Sequence, residues 1–560
     1  VRLYGKVGLA AIVAASLALS ACGSSKNSNG SGKSNGDKSQ ASANLNDTNP
    51  LPYDQVASGG TLRWPIDSYP PQFNIEEIDG NEANINYLMF STLPIVWHYD
   101  AGGKPYLNTD VVDKAEQTST SPQTVELHIN PKAVWSDGTP ITWKEFQGIW
   151  QANSGKDKAY NIISSTGYEQ IKSIEKGASD QDVKITFSTP FPDWKSLFTV
   201  LVPTTVTDTP QHFNKAWVNG PTVSGGPYKI TSLDKTAKTI TVSKNDKWWG
   251  KAPKLDKIQF VVLDQEAQAK ALQSDQVDFV NIGSSVSSLA LAKATQGVTI
   301  HKAGGPNWRH VDLGKSGFLS DVKVRQAVML SLDREGDAKT LLSPLDWPAK
   351  VLDSHIWMNN QDQYKSSCGD FCNRDTAKAA TLLEGAGFTK GADGFYAKNG
   401  KTLNLQFVIS SGTKTQEDEA AIQQKALQQA GIKATIKPVP SDPYFPDYIT
   451  PGKFDLAVFT WIGTPFPISS SKSIYTSNGA QNYSKIGTKE IDDLFTQVTQ
   501  ELDETKAKEL SYQIDQKIWE EGHSAALYQR PDLIASKSNL VNFGAMGFAD
   551  YVYEDIGFKK

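Results

Sequence analysis

Ala133-Val-Trp-Ser-Asp-Gly-Thr-Pro140, followed after Ile141 by Thr142-Trp-Lys-Glu145, decides how this chain is read. Asp137-Gly138 supplies a turn. Thr142 and Glu145 have the spacing of a capping box, which predicts a helix starting there with Phe146, Ile149 and Trp150 along one side. Just upstream, Val125-Glu-Leu-His-Ile129 alternates apolar and polar residues as a half-buried strand does, and Pro131 ends it. Strand, turn and helix in succession point to an α/β or α+β architecture and away from an all-β sandwich.

The same alternation extends in both directions. Thr61 to Ile66 read as the opening strand. Farther on, Val324, Ala327, Val328, Ser331 and Leu332 recur at helical spacing, with Arg325 and Asp333 expected off the buried stripe. Helices are expected over 376–384, closed by Gly385 and Gly387, and over 417–430, closed by Gly431. Each precedes a strand candidate, Leu403 to Ile409 and Lys433 to Lys437. Phe454-Asp-Leu-Ala-Val-Phe-Thr-Trp461 is nearly continuous in apolar residues and reads as a central strand. Helices over 489–502 and 505–521 and a strand at Ala525 to Tyr528 complete the pattern, and no internal repeat interrupts it.

With 560 residues, 39 % of them hydrophobic, the chain is long enough for several cores. The 56 basic and 61 acidic residues nearly cancel, to a net charge of -5, which gives no electrostatic reason to expect a nucleic acid partner. The N-terminal stretch has its own pattern. Arg2 and Lys6 precede an uncharged run, Val7 to Leu19, too short to span a bilayer comfortably at about 1.5 Å per residue. It reads as a signal-peptide apolar region. Leu19-Ser-Ala-Cys-Gly23 resembles a bacterial lipobox, which implies cleavage after residue 21 and lipidation of Cys22. The plainer alternative is a secreted protein with an incidental cysteine. Half of the residues from Gly23 to Ser58 are Ser, Asn or Gly, so 22–58 is expected to be a flexible tether reaching roughly 30–36 Å.

In an oxidising exterior, Cys368 and Cys372 could close a small disulfide loop; a metal site is the alternative, but no histidine lies close and two cysteines alone do not make one. Other chemistry has little support. The seven histidines show no His-x-x-x-His pair, and there is no Gly-x-Ser-x-Gly elbow. Gly394 to Thr402 has one residue too many for a phosphate loop, and its Asn399-Gly400 pair reads as a type I′ hairpin turn. An enzyme is therefore not expected, and neither a cofactor nor a metal is implied.

Four segments together resemble the family 5 extracellular solute-binding proteins, the oligopeptide, dipeptide and nickel receptors of ABC importers. They are Val134 to Thr142; Gly225-Gly-Pro-Tyr-Lys229 with Asn245 to Trp249; Ala271-Leu-Gln-Ser-Asp-Gln-Val-Asp-Phe279; and Asp321-Val-Lys-Val-Arg-Gln-Ala327 continuing to Leu332-Asp-Arg334. The resemblance implies a two-lobe, periplasmic-binding-protein-like α/β fold with mixed sheets, a hinge between the lobes and an extra subdomain in the first. On that pattern the first lobe is 59–313 with the subdomain near 93–220, the second is 314–529, and 530–560 returns to the first. The implied function is a lipid-anchored receptor on the outer face of the cell membrane. It would capture an oligopeptide-like solute between the lobes and hand it to an ABC permease and its ATPase. An envelope-assembly or signalling protein reusing the fold is the alternative, and an exported hydrolase is a third reading.

The four motifs themselves are expected to build scaffold. Ligand contacts are expected instead from Tyr69 and Phe73 in Asp67-Ser-Tyr-Pro-Pro-Gln-Phe73, from Trp461, Thr464 and Phe466 across the cleft, and from Trp308 and Arg309 near the first crossover. Arg309 could meet a carboxylate bidentately or form an internal salt bridge, and for each aromatic residue core packing is the competing role. Peptide receptors of this family often carry Gly-Trp-x-x-Asp, whose aspartate faces a ligand ammonium. Here Trp461-Ile-Gly-Thr464 keeps the tryptophan and replaces the acid by a hydroxyl. Either another acid such as Asp67 or Asp353 takes over, or the ligand has no free ammonium at that point.

Overall fold

The computed structural model describes residues 45–560. The signal peptide expected over 1–21, Cys22 and the first part of the tether lie outside the described residues. Among the described residues no helix is long and apolar enough to cross a membrane.

The strand–turn–helix unit forms as its residues dictate. Asp137 Oδ1 accepts from the Thr139 amide, and Val134 bridges Pro140. The helix Trp143–Asn153 opens on a reciprocal capping box, with Thr142 accepting from the Lys144 amide and Glu145 reaching back to the Thr142 amide. Phe146 and Ile149 are fully buried beneath it. Asn399 and Gly400 turn the hairpin between Tyr396–Lys398 and Lys401–Thr402 with φ of 52° and 72°, the left-handed pair that a type I′ turn requires.

The first lobe holds a mixed four-stranded sheet ordered Thr61–Ile66, Lys257–Val262, Thr239–Lys244, Tyr228–Asp234, with only the first pair parallel. A separate antiparallel sheet of Val112–Thr120, Gln123–Ile129, Asp182–Phe187 and Ile171–Lys176 lies within the interval expected for the extra subdomain. A six-stranded mixed sheet follows the order Phe279–Asn281, Ser524–Lys537, Val298–Leu313, Leu456–Trp461, Asn404–Ser410, Lys433–Val439, and Leu456–Trp461 is central in it.

Two long strands of this sheet, Val298–Leu313 and Ser524–Lys537, join the lobes. Their first stretch pairs Val298 to Gly304 with Lys537 to Pro531, and their second pairs Trp308 to Asp312 with Gln529 to Ser524. Between these, Gly305-Pro306-Asn307 stand opposite the single residue Arg530, so the ladder is broken where the chain passes from one lobe to the other. The first crossing therefore precedes Leu313: Trp308 to Leu313 already pair with Trp461 to Leu456 and bury among the second lobe's residues.

The chain is also ordered earlier than the expected end of its tether. Asp47–Thr48 pairs with Gly544–Ala545, and the Asn49 side chain donates to the carbonyls of Ser538 and Leu540, so strand pairing ties down residues that composition alone marks as flexible. Arg325 is another departure. It is buried, with its guanidinium donating to the carbonyls of Glu521 and Leu319, because the helix Val322–Ser331 is covered on more than its apolar stripe. Helix ends shift slightly: Lys414–Gln429 starts before 417, after the turn at Gly412, and Lys489–Val498 stops before 502 because Asp503 already caps the next helix.

Candidate functional site

The broken ladder places several loops at one junction. A Cβ on Gly463 would meet Pro306, so the loop after Leu456–Trp461 sits against the bulge at the crossing. Gly305 approaches Asp532 and the Gly547 carbonyl, and Gly103 lies beside Pro465 and Phe548. Phe466 meets Tyr99 edge-on at 6.0 Å, and the Lys472 ammonium pairs with Glu169. These contacts join the helix Pro467–Tyr475 of the second lobe to the first.

Acidic groups dominate the first lobe's wall. Asp67 remains open to solvent while protein surrounds it, the situation of a group in a cleft; burial raises its pKa, and Gln268 donates to it. Glu82 is half-buried, and its pKa is pushed up to about 7, first by burial and then by Asp79, with Asp67 and Asp442 acting in the same direction. Asp442 is exposed on the second lobe, as is Thr464. Tyr483, also of the second lobe, lies close enough to Glu82 and Asp79 for both to raise its pKa after burial does.

The residues nominated from sequence divide sharply. Phe73 is 1 % exposed in the first lobe's core and is not a cleft residue. Trp308 is buried against His310 and His355. Trp461 is 8 % exposed and nearly parallel to both His310 and Tyr483, although its indole Nε1 has no partner. All three large rings are held in packed surroundings, the competing role expected for them. Arg309 is buried too: Nε donates to Glu419 Oε1 at 2.8 Å, a second nitrogen to Oε2, and a third to Thr460. Its charge is neutralised inside the second lobe and is not offered to the cleft. Tyr69 is half-buried with an unpartnered hydroxyl, and Thr464 accepts from the Phe466 amide. Two positions before Thr464, Ile462 is an exposed apolar residue.

Asp353 does not replace the missing acid, because Arg334 holds it at 2.8 Å. Its carboxylate lies near Cys368 and Cys372, but the two sulfurs are bonded to each other and present no thiolate to a metal.

Sequence reading passed over Arg530, which faces the bulge from the second crossover. The signal available for it was Gly304-Gly-Pro306, an unlikely run for the middle of a strand, yet its partner lies more than 200 positions away.

With this geometry in place, the comparisons with known proteins are specific. Residues 107–483 match the family described as bacterial extracellular solute-binding proteins, family 5 Middle. The chain is 37 % identical over 530 residues to the oligopeptide-binding protein OppA of Mycobacterium tuberculosis, covering 94 % of this chain and 89 % of that one. Among solved structures, a periplasmic EDTA-binding protein, EppA, superposes with a TM-score of 0.80 at 25 % identity, covering 92 % of this chain and 98 % of that one. The oligopeptide-binding protein AppA of Bacillus subtilis, in complex with a nonapeptide, gives 0.79 at 20 % identity, covering 90 % and 100 %. The two-lobe fold is shared with both.

Proposed function

The chain belongs to the bacterial extracellular solute-binding proteins of family 5, which bind solutes and are not enzymes, and from that premise we propose that it captures an oligopeptide between its lobes and delivers it to the permease of an ABC importer. The likeness to OppA over nearly the whole chain carries this reading. The junction supports it: loops from both lobes converge on a break in the connecting strands, and polar groups there lack internal partners. A peptide, rich in amide donors and acceptors, satisfies such groups.

The acids Asp67, Asp79 and Glu82 are the receivers we assign to a ligand's ammonium, in place of the aspartate absent at Thr464. Cys22 carries the lipid anchor in this reading, and the segment after it lets the lobes stand off the membrane.

Equilibrium dialysis against a pool of synthetic pentapeptides, with mass spectrometry of the retained fraction, tests the capture. Enrichment of intact peptides is expected; an unchanged pool contradicts it. For the anchor, the Cys22→Ala protein should appear in the culture medium while the wild type stays with cells. Equal retention of both would count against lipidation.

A further inference from the structure

We propose that Arg530 is the anion anchor of the cleft: its guanidinium binds a carboxylate of the ligand, in the first place the C-terminal carboxylate of a peptide. The proposal rests on the oligopeptide reading only for the source of that carboxylate.

Arg530 stands opposite Gly305-Pro306-Asn307, the break between the two paired stretches of the connecting strands, and is half-buried there. Of its five N–H donors, one finds a partner, Asn281 Oδ1 at 3.0 Å, and among the described residues no carboxylate lies within ion-pair distance. Other buried or half-buried arginines are compensated: Arg309 by Glu419, Arg334 by Asp353, Arg63 by Asp278. The two acids whose charges act on Arg530 form no ion pair with it. Asp67 accepts from the Gln268 side-chain amide, and Asp532 accepts from the backbone amide of Gly547.

A charge taken out of water without a counter-ion is unfavourable, and burial followed by the nearby charge of Arg309 does hold the pKa of Arg530 below its usual value. The fold nevertheless makes room for it. Gly283 lies under the guanidinium at a φ of +56°, where any Cβ would collide with it. At the same bulge the buried Oδ1 of Asn307 has no partner, which leaves an acceptor for a ligand N–H. A planar carboxylate fits that fork with two parallel hydrogen bonds.

The test uses the wild type, Arg530→Gln and Arg530→Lys, with thermal melting to confirm folding. The probes are pentapeptide pools made without Asp and Glu, one with free C termini and one amidated, plus an amidated pool carrying a single Glu. The wild type is expected to retain the free-acid pool about tenfold or more over the amidated one. Arg530→Gln should lose that preference while retaining the amidated pool as the wild type does, and Arg530→Lys should fall between. Preference restored by the internal Glu would assign the site to a side-chain carboxylate. Equal retention of free and amidated pools by the wild type would overturn the proposal without recourse to any variant, as would a folded Arg530→Gln protein that keeps the preference. If no peptide is retained, the oligopeptide reading fails, and citrate and EDTA become the probes. Binding of either that weakens about tenfold in Arg530→Gln keeps the anchor; binding unchanged in Arg530→Gln, or no carboxylate bound by the wild type, overturns it.

Discussion

Arg309 and Glu419 hold each other through two guanidinium nitrogens and both carboxylate oxygens inside the second lobe, and the Tyr528 hydroxyl adds a third bond to Glu419 at 2.7 Å. The pair closes off one of the two arginines at the lobe crossing and leaves Arg530 as the uncompensated one. Its cost of rupture is the first expectation. Arg309→Met should destabilise the protein by about 3–5 kcal/mol in urea unfolding, because Glu419 is left buried without its counter-ion. Adding Glu419→Gln should recover part of that loss, and a single-variant cost below about 1 kcal/mol would mean that the pair is not the buried unit described.

Thr464→Asp should restore an acid on the second lobe's loop. Affinity for pentapeptides with free amino ends is expected to rise relative to acetylated ones, by up to about tenfold, the gain being limited by solvent screening at this exposed position. An unchanged ratio in competition dialysis would remove Thr464 from the account.

The Lys472–Glu169 pair joins the lobes across partly exposed side chains. Lys472→Met should weaken peptide retention roughly two- to fivefold at low salt, the range of an exposed ion pair. The difference from wild type should shrink as ionic strength rises toward about 1 M, where such pairs are screened. A salt-independent difference would point to packing instead of charge.

Burial, followed by the influence of His355, lowers the pKa of His523 to about 3, so the folded protein holds this ring neutral. The unfolded chain takes up that proton near pH 6.5, which means the contribution is complete above about pH 6.5 and is lost as pH falls toward 3. Over that window His523 should reduce stability by up to about 1.4 kcal/mol per pH unit. His523→Gln should flatten the acid limb of the melting-temperature profile, and an identical limb in both proteins would contradict the assignment.

Local chemistry was readable in advance where neighbours in sequence set it. Thr142 with Glu145 began a helix, and Asn399-Gly400 closed a hairpin, because each needs only residues a few positions apart. The lobe crossing was not readable in that way. Trp308 and Trp461 looked like cleft aromatics, but each is covered by a ring contributed from a loop distant in sequence, His355 and Tyr483. Arg309 looked available until folding brought in Glu419, 110 positions along the chain. Arg530 gave no sign of its isolation, since what marks it is a missing partner across a strand pairing that only the assembled sheet defines.

Native mass spectrometry of the protein purified without denaturation tests peptide capture most directly. Masses above that of the polypeptide are expected, in increments that collisional release resolves into intact oligopeptides with free carboxyl ends. Only unliganded mass, persisting after incubation with the pentapeptide pool, or recovery of cleaved peptides, would contradict it.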